Sequence, residues 1–309
     1  MIVTCTMNPS LDYYMESDQP IHPGHTNRSH LEYYEAGGKG INVSIVLNNL
    51  QVPTRACGFL GGFTKDFYIT LLEKYQYIQP NFTYTNGHTR INVKFTDGEK
   101  ETSFNSTGPY ITDQDMENLM LKTNRLDEGD YFVLAGDCPE YLNESVGIML
   151  ERLMNDGVRV CLSTNPAIIE QALPNHPFLV KTRSSYVNEY VGRQLDESEL
   201  IDVLRGLVRK GAVNVICTTK SGKEAYLACE EGVYHAELIH QEKAVSMIGS
   251  GDAMIAGFLM DSLRSVSPVE SFRFGSCCST ATAYSKGFAT RDKILSLMEE
   301  SVVEKVAEI

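Results

Sequence analysis

The sequence predicts an α/β fold, a three-layer sandwich in which a mainly parallel central sheet lies between helices and a small antiparallel β lid projects from it. Two observations lead to this prediction. Short apolar, β-branched runs alternate with helical patterns along most of the chain, and two segments of different character interrupt that rhythm. With 309 residues the chain can bury a sizeable core, and we expect a single domain over residues 1–309.

The central sheet is predicted from a set of buried strands. The chain starts with the apolar run IVTCT, and runs of the same kind follow as TRACGFLGG, DYFVLAG, VRVCLST, FLVKT and AVNVICTT. Short continuous apolar runs, as opposed to alternating ones, are typical of parallel strands that are buried on both faces. These runs therefore predict a mainly parallel sheet.

Helical patterns separate several of these strands. In DESELIDVLRGLVRKG the apolar residues Ile201, Leu204 and Leu207 recur on one helical face, and Gly211 follows as a stop signal. The last 60 or so residues read as helical, from Asp252 to the final EESVVEKVAEI. Strands alternating with such helices predict a sheet that helices cover on both sides.

The lid is predicted from two segments, residues 11–35 and 88–105. The first is rich in tyrosine and has no helical period, whereas polar and apolar residues alternate along HTRINVKFTDGEKETSFN in the second. Such alternation is typical of a strand with two different faces. Asp97-Gly98 then predicts a hairpin turn within the lid.

One face of the alternating strand carries Arg90, Asn92 and Lys94, while the other carries Ile91, Val93 and Phe95. Two cations and an amide suit a phosphate or a polyol. A solvated strand face is the alternative interpretation, and the pattern favours neither over the other.

Composition and charge exclude several classes of protein. The net charge is −13 and no Lys/Arg run occurs, so we expect no nucleic-acid partner. No run of 18 apolar residues occurs and the N-terminus lacks the features of a signal peptide, so we expect no membrane association. An anionic ligand would need cations that are gathered locally.

The eight cysteines form no CxxC pair, and several lie inside strand-like runs. This usage predicts buried, reduced thiols in a cytoplasmic protein. The adjacent Cys277 and Cys278 suit either a redox-sensitive pair or core packing, and core packing is favoured.

Two further stretches lie at positions where α/β folds bind ligands. One contains paired glycines and precedes a predicted helix, and the other contains a proline and follows a predicted strand. In AGGKGINVS, paired glycines before a helix allow a ligand to approach the backbone, and Lys39 adds a positive charge. In NPSLD, Asp12 follows the first strand at the edge where parallel sheets bind ligands. Each stretch alone also suits a plain turn.

The stretch SMIGSGDAMIAGF, residues 246–258, contains Asp252, which suits two different roles. Asp252 suits a helix N-cap, because aspartate is preferred there. It also suits a general base, because the turn at Gly249 and Gly251 can form an anion-binding nest at a helix N-terminus. The two roles are compatible, and the surrounding motifs favour the base.

In combination, NPSLD, GGKGINVS, TRINVK and IGSGDAMIAGF resemble the ribokinase-like carbohydrate kinase family, from residue 1 to about 290. The resemblance is greatest to its 1-phosphofructokinase branch, with tagatose-6-phosphate kinase next. It implies ATP-dependent phosphorylation of a ketohexose phosphate, most directly of fructose 1-phosphate to fructose 1,6-bisphosphate. It also implies ATP and Mg²⁺ as cofactors and a homodimer formed through the lid.

The resemblance also implies a role for each matching residue, with the metal ligands left unassigned. The catalytic set would be Asp252 as the base, with the backbone of Gly249, Ser250 and Gly251 as an anion hole. Sugar hydroxyls would be held by Asp12, Gly38 and Asn42, and the existing phosphate by Lys39, Arg90 and Lys94. ATP would contact Lys181, Thr219, Ser221 and Gly222.

The nucleotide half departs from the family pattern. Where the family has KPNxxEL this chain has KTRSSYV, which puts Arg183 and Tyr186 at the Asn and Glu positions; Asn188-Glu189 just downstream could compensate only if the register slipped. Ser221 and Glu224 stand at glycine positions, and Asp137 stands where a serine is expected. The alternative function is a sugar-phosphate-binding protein with reduced or lost kinase activity.

Overall fold

The computed structural model describes residues 1–97, 100–238, 244–264 and 267–309. Its strands, in chain order, are β1 (Ile2–Thr6), β2 (Ser10–Glu16), β3 (Leu31–Gly37), β4 (Thr54–Gly61), β5 (Ile78–Pro80), β6 (Thr83–Thr85), β7 (Arg90–Thr96), β8 (Glu101–Phe104), β9 (Tyr131–Ala135), β10 (Arg159–Ser163), β11 (Leu179–Arg183), β12 (Asn214–Thr218), β13 (Glu224–Cys229), β14 (Gly232–Glu237) and β15 (Val303–Ala307).

The α-helices are α1 (Lys39–Asn49), α2 (Gly62–Leu72), α3 (Asp113–Thr123), α4 (Asn143–Asn155), α5 (Pro166–Ala172), α6 (Ser184–Val191), α7 (Glu197–Arg209), α8 (Ser250–Ser262), α9 (Pro268–Ala283) and α10 (Arg291–Ser296). None of the helices described is both long and apolar enough to cross a membrane.

The large sheet has the strand order β15-β14-β13-β12-β11-β10-β9-β1-β4-β5, with β6 also paired to β4. The strands from β12 to β5 along this order pair in parallel, and β13, β14 and β15 add antiparallel pairings at one edge. Every apolar run that predicted a buried strand forms one. The mainly parallel central sheet is therefore confirmed.

Helices cover both faces of this sheet, as the three-layer prediction requires. On β9, Phe132 and Leu134 pack into one core with residues of α3, α4, α5 and α7. Tyr131 and Val133, which alternate with them, pack into a second core with residues of α1, α8, α9 and α10. Because successive strand residues point to opposite faces, one continuous apolar run supplies both cores.

The lid is a four-stranded sheet with the order β3-β2-β7-β8. Its outer pairs, β2–β3 and β7–β8, are antiparallel, but its central pair, β2–β7, is parallel. The predicted antiparallel pairing of the lid is therefore found in its outer pairs but not in its central pair. The predicted turn at Asp97-Gly98 includes Gly98, which lies outside the described residues.

The helical prediction for the C-terminus is wrong over Val303–Ala307, which is the edge strand β15. The strand pairs with β14 in the register Tyr234↔Lys305 and Ala236↔Val303. The valines of this segment are three residues apart, a spacing that also fits a helix. The open edge of β14 decides otherwise, because its unpaired backbone groups accept a strand rich in β-branched residues.

The eight cysteines are free and buried in the described structure. Burial raises the pKa of the Cys278 thiol well above its usual range and also raises that of Cys277. Both side chains belong to the core beside α8, so the core-packing interpretation is confirmed.

Candidate active site

A cleft of about 430 Å³ lies between the inner face of the lid and the carboxyl edge of the large sheet. This is the edge where parallel α/β sheets place their ligands. The residues predicted from sequence that line it are Asp12, Gly38, Lys39, Asn42, Arg90, Lys94, Gly249 and Asp252. The structure therefore brings all the predicted sugar-phosphate residues to one place, together with the predicted base.

Asp252 is the third residue of α8 and is almost fully buried. The helix N-cap is Gly249, and no side chain donates or accepts a cap hydrogen bond there, so Asp252 is not a cap. Its Oδ2 instead accepts a hydrogen bond of 2.8 Å from Nδ2 of Asn42 on α1. Asn42, predicted to hold a sugar hydroxyl, thus also fixes the orientation of the carboxylate.

Burial raises the pKa of the Asp252 carboxyl, and nearby groups oppose this. The opposing groups are the Asn42 amide and the cations Lys181, Lys39 and Arg183. Desolvation makes this carboxylate a stronger base than an exposed aspartate, while the amide and the cations favour its charged form. This is the environment that a general base requires.

The turn that starts α8 is suited to an anion. Gly249 has a φ of 75°, a left-handed conformation that favours glycine, and a side chain there would collide with the ring of Phe288. The turn leads directly into the first turn of α8, whose N–H groups have no partner within the helix. Ser250 and Gly251 follow in that first turn, in line with the predicted anion hole.

Lys181 lies against this turn. Its side chain is buried and its Nζ is 3.3 Å from Oγ1 of Thr218 on β12. A Cβ at Gly251 would lie 2.7 Å from the same Nζ, so a larger residue there would displace the ammonium group from this position. Burial lowers the pKa of Lys181 to about 8, with repulsion from Arg183 adding to the effect.

Asp12 and Lys94 form a buried network on the inner face of the lid. Lys94 Nζ is 2.8 Å from Oδ2 of Asp12, whose Oδ1 accepts hydrogen bonds from Ser10 and Asn92. Burial would lower the pKa of Lys94, but the Asp12 carboxylate outweighs it and the pKa is raised. Lys94 is therefore paired before any ligand binds, while Asp12 keeps one lone pair for a hydroxyl.

The other two cationic residues that are predicted to bind the substrate's phosphate have different kinds of partner. Arg90 donates to the carbonyl oxygens of Asn8 at 3.0 Å and Ser106 at 3.2 Å, and its buried Nε has no partner among the described residues. Lys39, the first residue of α1, lies 3.7 Å from Oδ1 of Asp137. Arg90 is thus oriented by carbonyls, whereas Lys39 already faces a carboxylate.

The predicted nucleotide residues lie outside the cleft but close to it. Lys181 lines a small side cavity that also contains Lys39, Arg183 and Asp252. Thr219 and Ser221 bond to each other at 3.1 Å in a turn, and Gly222 lies against Met247 just before the α8 turn. Of these residues, Lys181 and Gly222 have contacts that reach the α8 turn or the residues just before it.

The structure also locates the residues that depart from the family pattern. Arg183 and Tyr186 line the side cavity, and the Glu224 carboxylate lies 3.6 Å from Nε2 of His235 on β14. Asn188 does not compensate for Arg183, because its Oδ1 accepts a hydrogen bond from the backbone of Leu195. Among the described residues no group of three or more His, Cys, Asp or Glu could hold a metal ion.

The cleft includes residues that the sequence interpretation did not assign. The sequence indicates Asn92 only as part of a polar strand face, whereas the structure shows that its side-chain amide donates a hydrogen bond to Asp12. Glu101, Ser103 and Asn105 line the cleft from β8 and the residue after it. Their period of two in ETSFN was the available signal, because alternate strand residues share a face.

The fold and site define an α/β kinase-like architecture with a lid over a cation-lined cleft. The model of the pfkB family of carbohydrate kinases matches residues 6–293, and the chain belongs to this family. It is a sugar phosphotransferase, an ATP-dependent ketohexose phosphate kinase.

Relatives with known names agree with this class. The chain is 34% identical to 1-phosphofructokinase of Bacillus subtilis, covering 99% of this chain and 100% of that one. It is 28% identical to D-tagatose-1-phosphate kinase of Bacillus licheniformis, covering 95% and 96% respectively. Phosphofructokinase-2 from Escherichia coli shares the fold with a TM-score of 0.90, at 20% identity and with 97% and 98% of the two chains covered.

Proposed function

We propose that the protein transfers the γ-phosphoryl group of ATP to fructose 1-phosphate, giving fructose 1,6-bisphosphate. The observation that carries the proposal is the position of Asp252, buried at the start of α8 in the same cleft as Arg90 and Lys94. The cleft thus offers a base at one side and cations for an existing phosphate at the other.

The reaction follows from these groups. The sugar hydroxyl gives its proton to the Asp252 carboxylate while its oxygen attacks the γ-phosphorus. The bond between that phosphorus and the ADP oxygen breaks, and ADP leaves with the electron pair. The N–H groups at Gly249, Ser250 and Gly251 stabilise the charge on the transferring phosphoryl group, as donors at a helix N-terminus can.

Substrate positioning is assigned to the two sides of the cleft. Asp12 accepts a hydrogen bond from a sugar hydroxyl with its remaining lone pair, and Gly38 lets the sugar approach the backbone. Gly38 lines the cleft, and its positive φ of 132° and a Cβ position only 2.6 Å from Cγ2 of Thr6 both favour glycine there. Lys39, Arg90 and Lys94 supply positive charge to the existing phosphate.

The second candidate substrate is D-tagatose 1-phosphate, because a relative is named for it. Tagatose 6-phosphate, expected from sequence as the alternative, is kept as a test substrate. Fructose and tagatose differ at one hydroxyl-bearing carbon, so the residues that contact hydroxyls would decide between them.

ATP is proposed to lie along the α8 turn, with Lys181 at its phosphates and the turn of Thr219, Ser221 and Gly222 beside it. Bound Mg²⁺ would neutralise phosphate charge during transfer. The chain fits an ion held mostly by ATP oxygens and water, because Mg²⁺ retains several waters and no cluster of three acidic or histidine residues occurs in the described ranges.

We also propose a cytoplasmic homodimer in which the lids pair and close on the cleft. A row of apolar side chains supports the pairing. Tyr34, Tyr13, Val93 and Phe104 are cross-strand neighbours on the outer lid face, and Phe104 is 66% exposed. The free, buried cysteines support a compartment in which thiols stay reduced.

An ADP-release assay with four sugar phosphates tests the function. Fructose 1-phosphate, tagatose 1-phosphate, fructose 6-phosphate and tagatose 6-phosphate are compared by kcat/KM in the presence of Mg²⁺ and ATP. We expect fructose 1-phosphate to give the highest value. Binding of these sugars without turnover would contradict the proposal and would support the sugar-phosphate-binding alternative.

The base is tested with Asp252→Asn. Because general-base catalysis contributes about 10²–10⁴-fold, we expect kcat to fall by that factor while the melting temperature stays close to that of the wild type. Asparagine keeps the shape and can still meet Asn42, so the loss isolates proton transfer.

A pH profile gives a second readout of the base. The wild-type kcat/KM must fall as pH decreases through the pKa of Asp252, because the protonated carboxyl cannot accept a proton. Burial raises that pKa, so the acidic limb lies above the range of an exposed aspartate. Full activity of the Asn variant, or a profile without this limb, would contradict the assignment.

A further inference from the structure

We propose that Arg183 is a further catalytic residue, one that contacts the transferring phosphoryl group and stabilises its charge in the transition state. The inference rests on the proposed function, because it assigns a role within the same reaction. Three features of Arg183 carry it: its position between the two cavities, its lack of a partner among the described residues, and its place in the side cavity, which the lid cations do not line.

Arg183 lies where the sugar cleft meets the side cavity. It is the last residue of β11, two residues after Lys181, so both side chains leave the same face of the strand. Arg183 lines the cleft and the side cavity, a property that it shares with Lys39 and Asp252. The attacking hydroxyl at Asp252 and the γ-phosphoryl must meet at this junction.

The guanidinium of Arg183 is also available to bind a phosphoryl group. Arg183 is exposed, and it forms no hydrogen bond or ion pair with any residue that the structure describes. The other cations near Asp252 have partners: Lys39 faces Asp137, and Lys181 donates to Thr218. An unpaired guanidinium with its planar fork of donors can bind two oxygens of a phosphoryl group at once.

A role in binding the existing sugar phosphate is less consistent with the geometry. Of the three cations assigned to that phosphate, Arg90 and Lys94 on the lid line the cleft but not the side cavity, and only Lys39 lines both. Arg183 lies at the side cavity with Lys181 and Asp252, which places it beside the reacting atoms. The charge that develops there is spread over the equatorial phosphoryl oxygens, and an arginine in such a position is worth about 10³–10⁵ in kcat.

The test compares Arg183→Ala and Arg183→Lys with Arg193→Ala as a matched control. Arg193 is also exposed and lies just beyond α6, but its guanidinium is paired with Glu199 at 2.7 Å. We expect Arg183→Ala to lower kcat by at least about 100-fold at saturating substrates, with KM for fructose 1-phosphate changed less than about threefold. Arg183→Lys should be intermediate, because it keeps the charge but loses the fork.

A binding measurement separates the transition state from the ground state. ADP with aluminium fluoride, added together with fructose 1-phosphate, mimics the transferring phosphoryl group. We expect Arg183→Ala to weaken binding of this mixture by at least about 10-fold and to leave the Kd for ADP alone unchanged, because only the mimic carries the charge that Arg183 meets. Arg193→Ala should change neither value.

Failure of the role proposed for Arg183 can be distinguished from failure of the proposed kinase function. A smaller fall in kcat, or a raised KM for fructose 1-phosphate with kcat retained, would overturn the role of Arg183 and leave the kinase assignment intact. A wild-type protein without turnover on any of the four sugar phosphates would refute the proposed function itself, and Arg183 with it. Melting temperatures within a few degrees of the wild type confirm that each variant is folded.

Discussion

At the scale of single residues, Asp137 opposes the charge of the cleft in which it lies. Its carboxylate follows β9 and lies 3.7 Å from Nζ of Lys39, a cation assigned to the substrate's phosphate. Asp137 is 78% exposed, so solvent screens the pair, and its contribution to stability is small. A bound phosphate must nevertheless compete with this carboxylate for Lys39.

We therefore expect Asp137→Ser to lower KM for fructose 1-phosphate by about two- to fivefold at low salt, with a smaller effect at high salt. Asp66→Ser is the control, because Asp66 is 76% exposed and paired with Lys65 on α2, away from the cleft. Steady-state kinetics at two salt concentrations measures the effect. An unchanged or higher KM would show that Asp137 does not compete with the substrate.

The sequence predicted which residues lie together where several motifs point to one ligand. Asp12, Lys39, Arg90 and Asp252 lie far apart in the sequence and line one cleft. The hydrogen bond from Asn42 to Asp252 was not predictable, because it joins two helices whose contact is set by tertiary packing. The pairing of Lys94 with Asp12 was missed for the same reason: it depends on the parallel register of β2 and β7.

At the scale of elements, the close contact between α8 and α9 holds the helix that carries Asp252. Gly257 on α8 faces α9, and a Cβ there would lie 2.6 Å from Sγ of Cys278 and 2.8 Å from Cα of Gly275. Neither the sulfur of a buried residue nor a backbone atom can move away easily. The two helices can approach this closely only because both positions are glycine.

Gly257→Ala should therefore lower the free energy of unfolding by about 1–3 kcal/mol, the usual cost of overpacking a core. Gly206→Ala on α7 is the matched control, because no heavy atom lies within 4 Å of its added Cβ. Alanine should stabilise that helix by about 0.5–1 kcal/mol. Urea unfolding with an unchanged m-value measures both, and effects of the same sign would refute the packing account.

Elements were predictable wherever local pattern and tertiary environment agree. The buried strands and α7 were recognised from periodicity alone, because their apolar faces pack as the pattern requires. The start of α8 shifted from Asp252 to Ser250, since the left-handed turn at Gly249 begins the helix earlier. β15 was missed because valines three residues apart fit either structure until β14 supplies an edge.

At the scale of the whole molecule, the outer lid face is the surface proposed for dimerisation. The row Tyr34, Tyr13, Val93 and Phe104 crosses all four strands; Tyr34 at one end packs against Phe67 of α2, while Phe104 at the other end is 66% exposed. Exposed apolar rows of this kind are typical of association surfaces. The inner face of the same sheet lines the cleft, so pairing of the outer faces would also steady the site.

We expect light scattering to give a mass of twice 34.4 kDa for the wild type and of one chain for Phe104→Glu at micromolar concentration. A buried carboxylate without a partner would destabilise an interface strongly. Leu121→Glu on α3 is the control, because Leu121 is 64% exposed and lies off the lid. A monomeric wild type, or dissociation by both variants, would contradict the lid interface.

The sequence by itself determined the fold class, the buried strands of the parallel part of the sheet, and a set of polar and glycine residues that meet at the cleft. It could do so because apolar periodicity and motifs are local properties of the sequence. In a parallel sheet, motifs that follow different strands all lie at the same edge, so their positions in the chain predict their positions in the fold. Tertiary structure alone decided that Asp252 is held by Asn42 and is not a cap, and that Lys94 is already paired. It also decided that Arg183, at the junction of two cavities, has no partner among the described residues. These are distances and burials between segments far apart in the chain, and no local pattern encodes them.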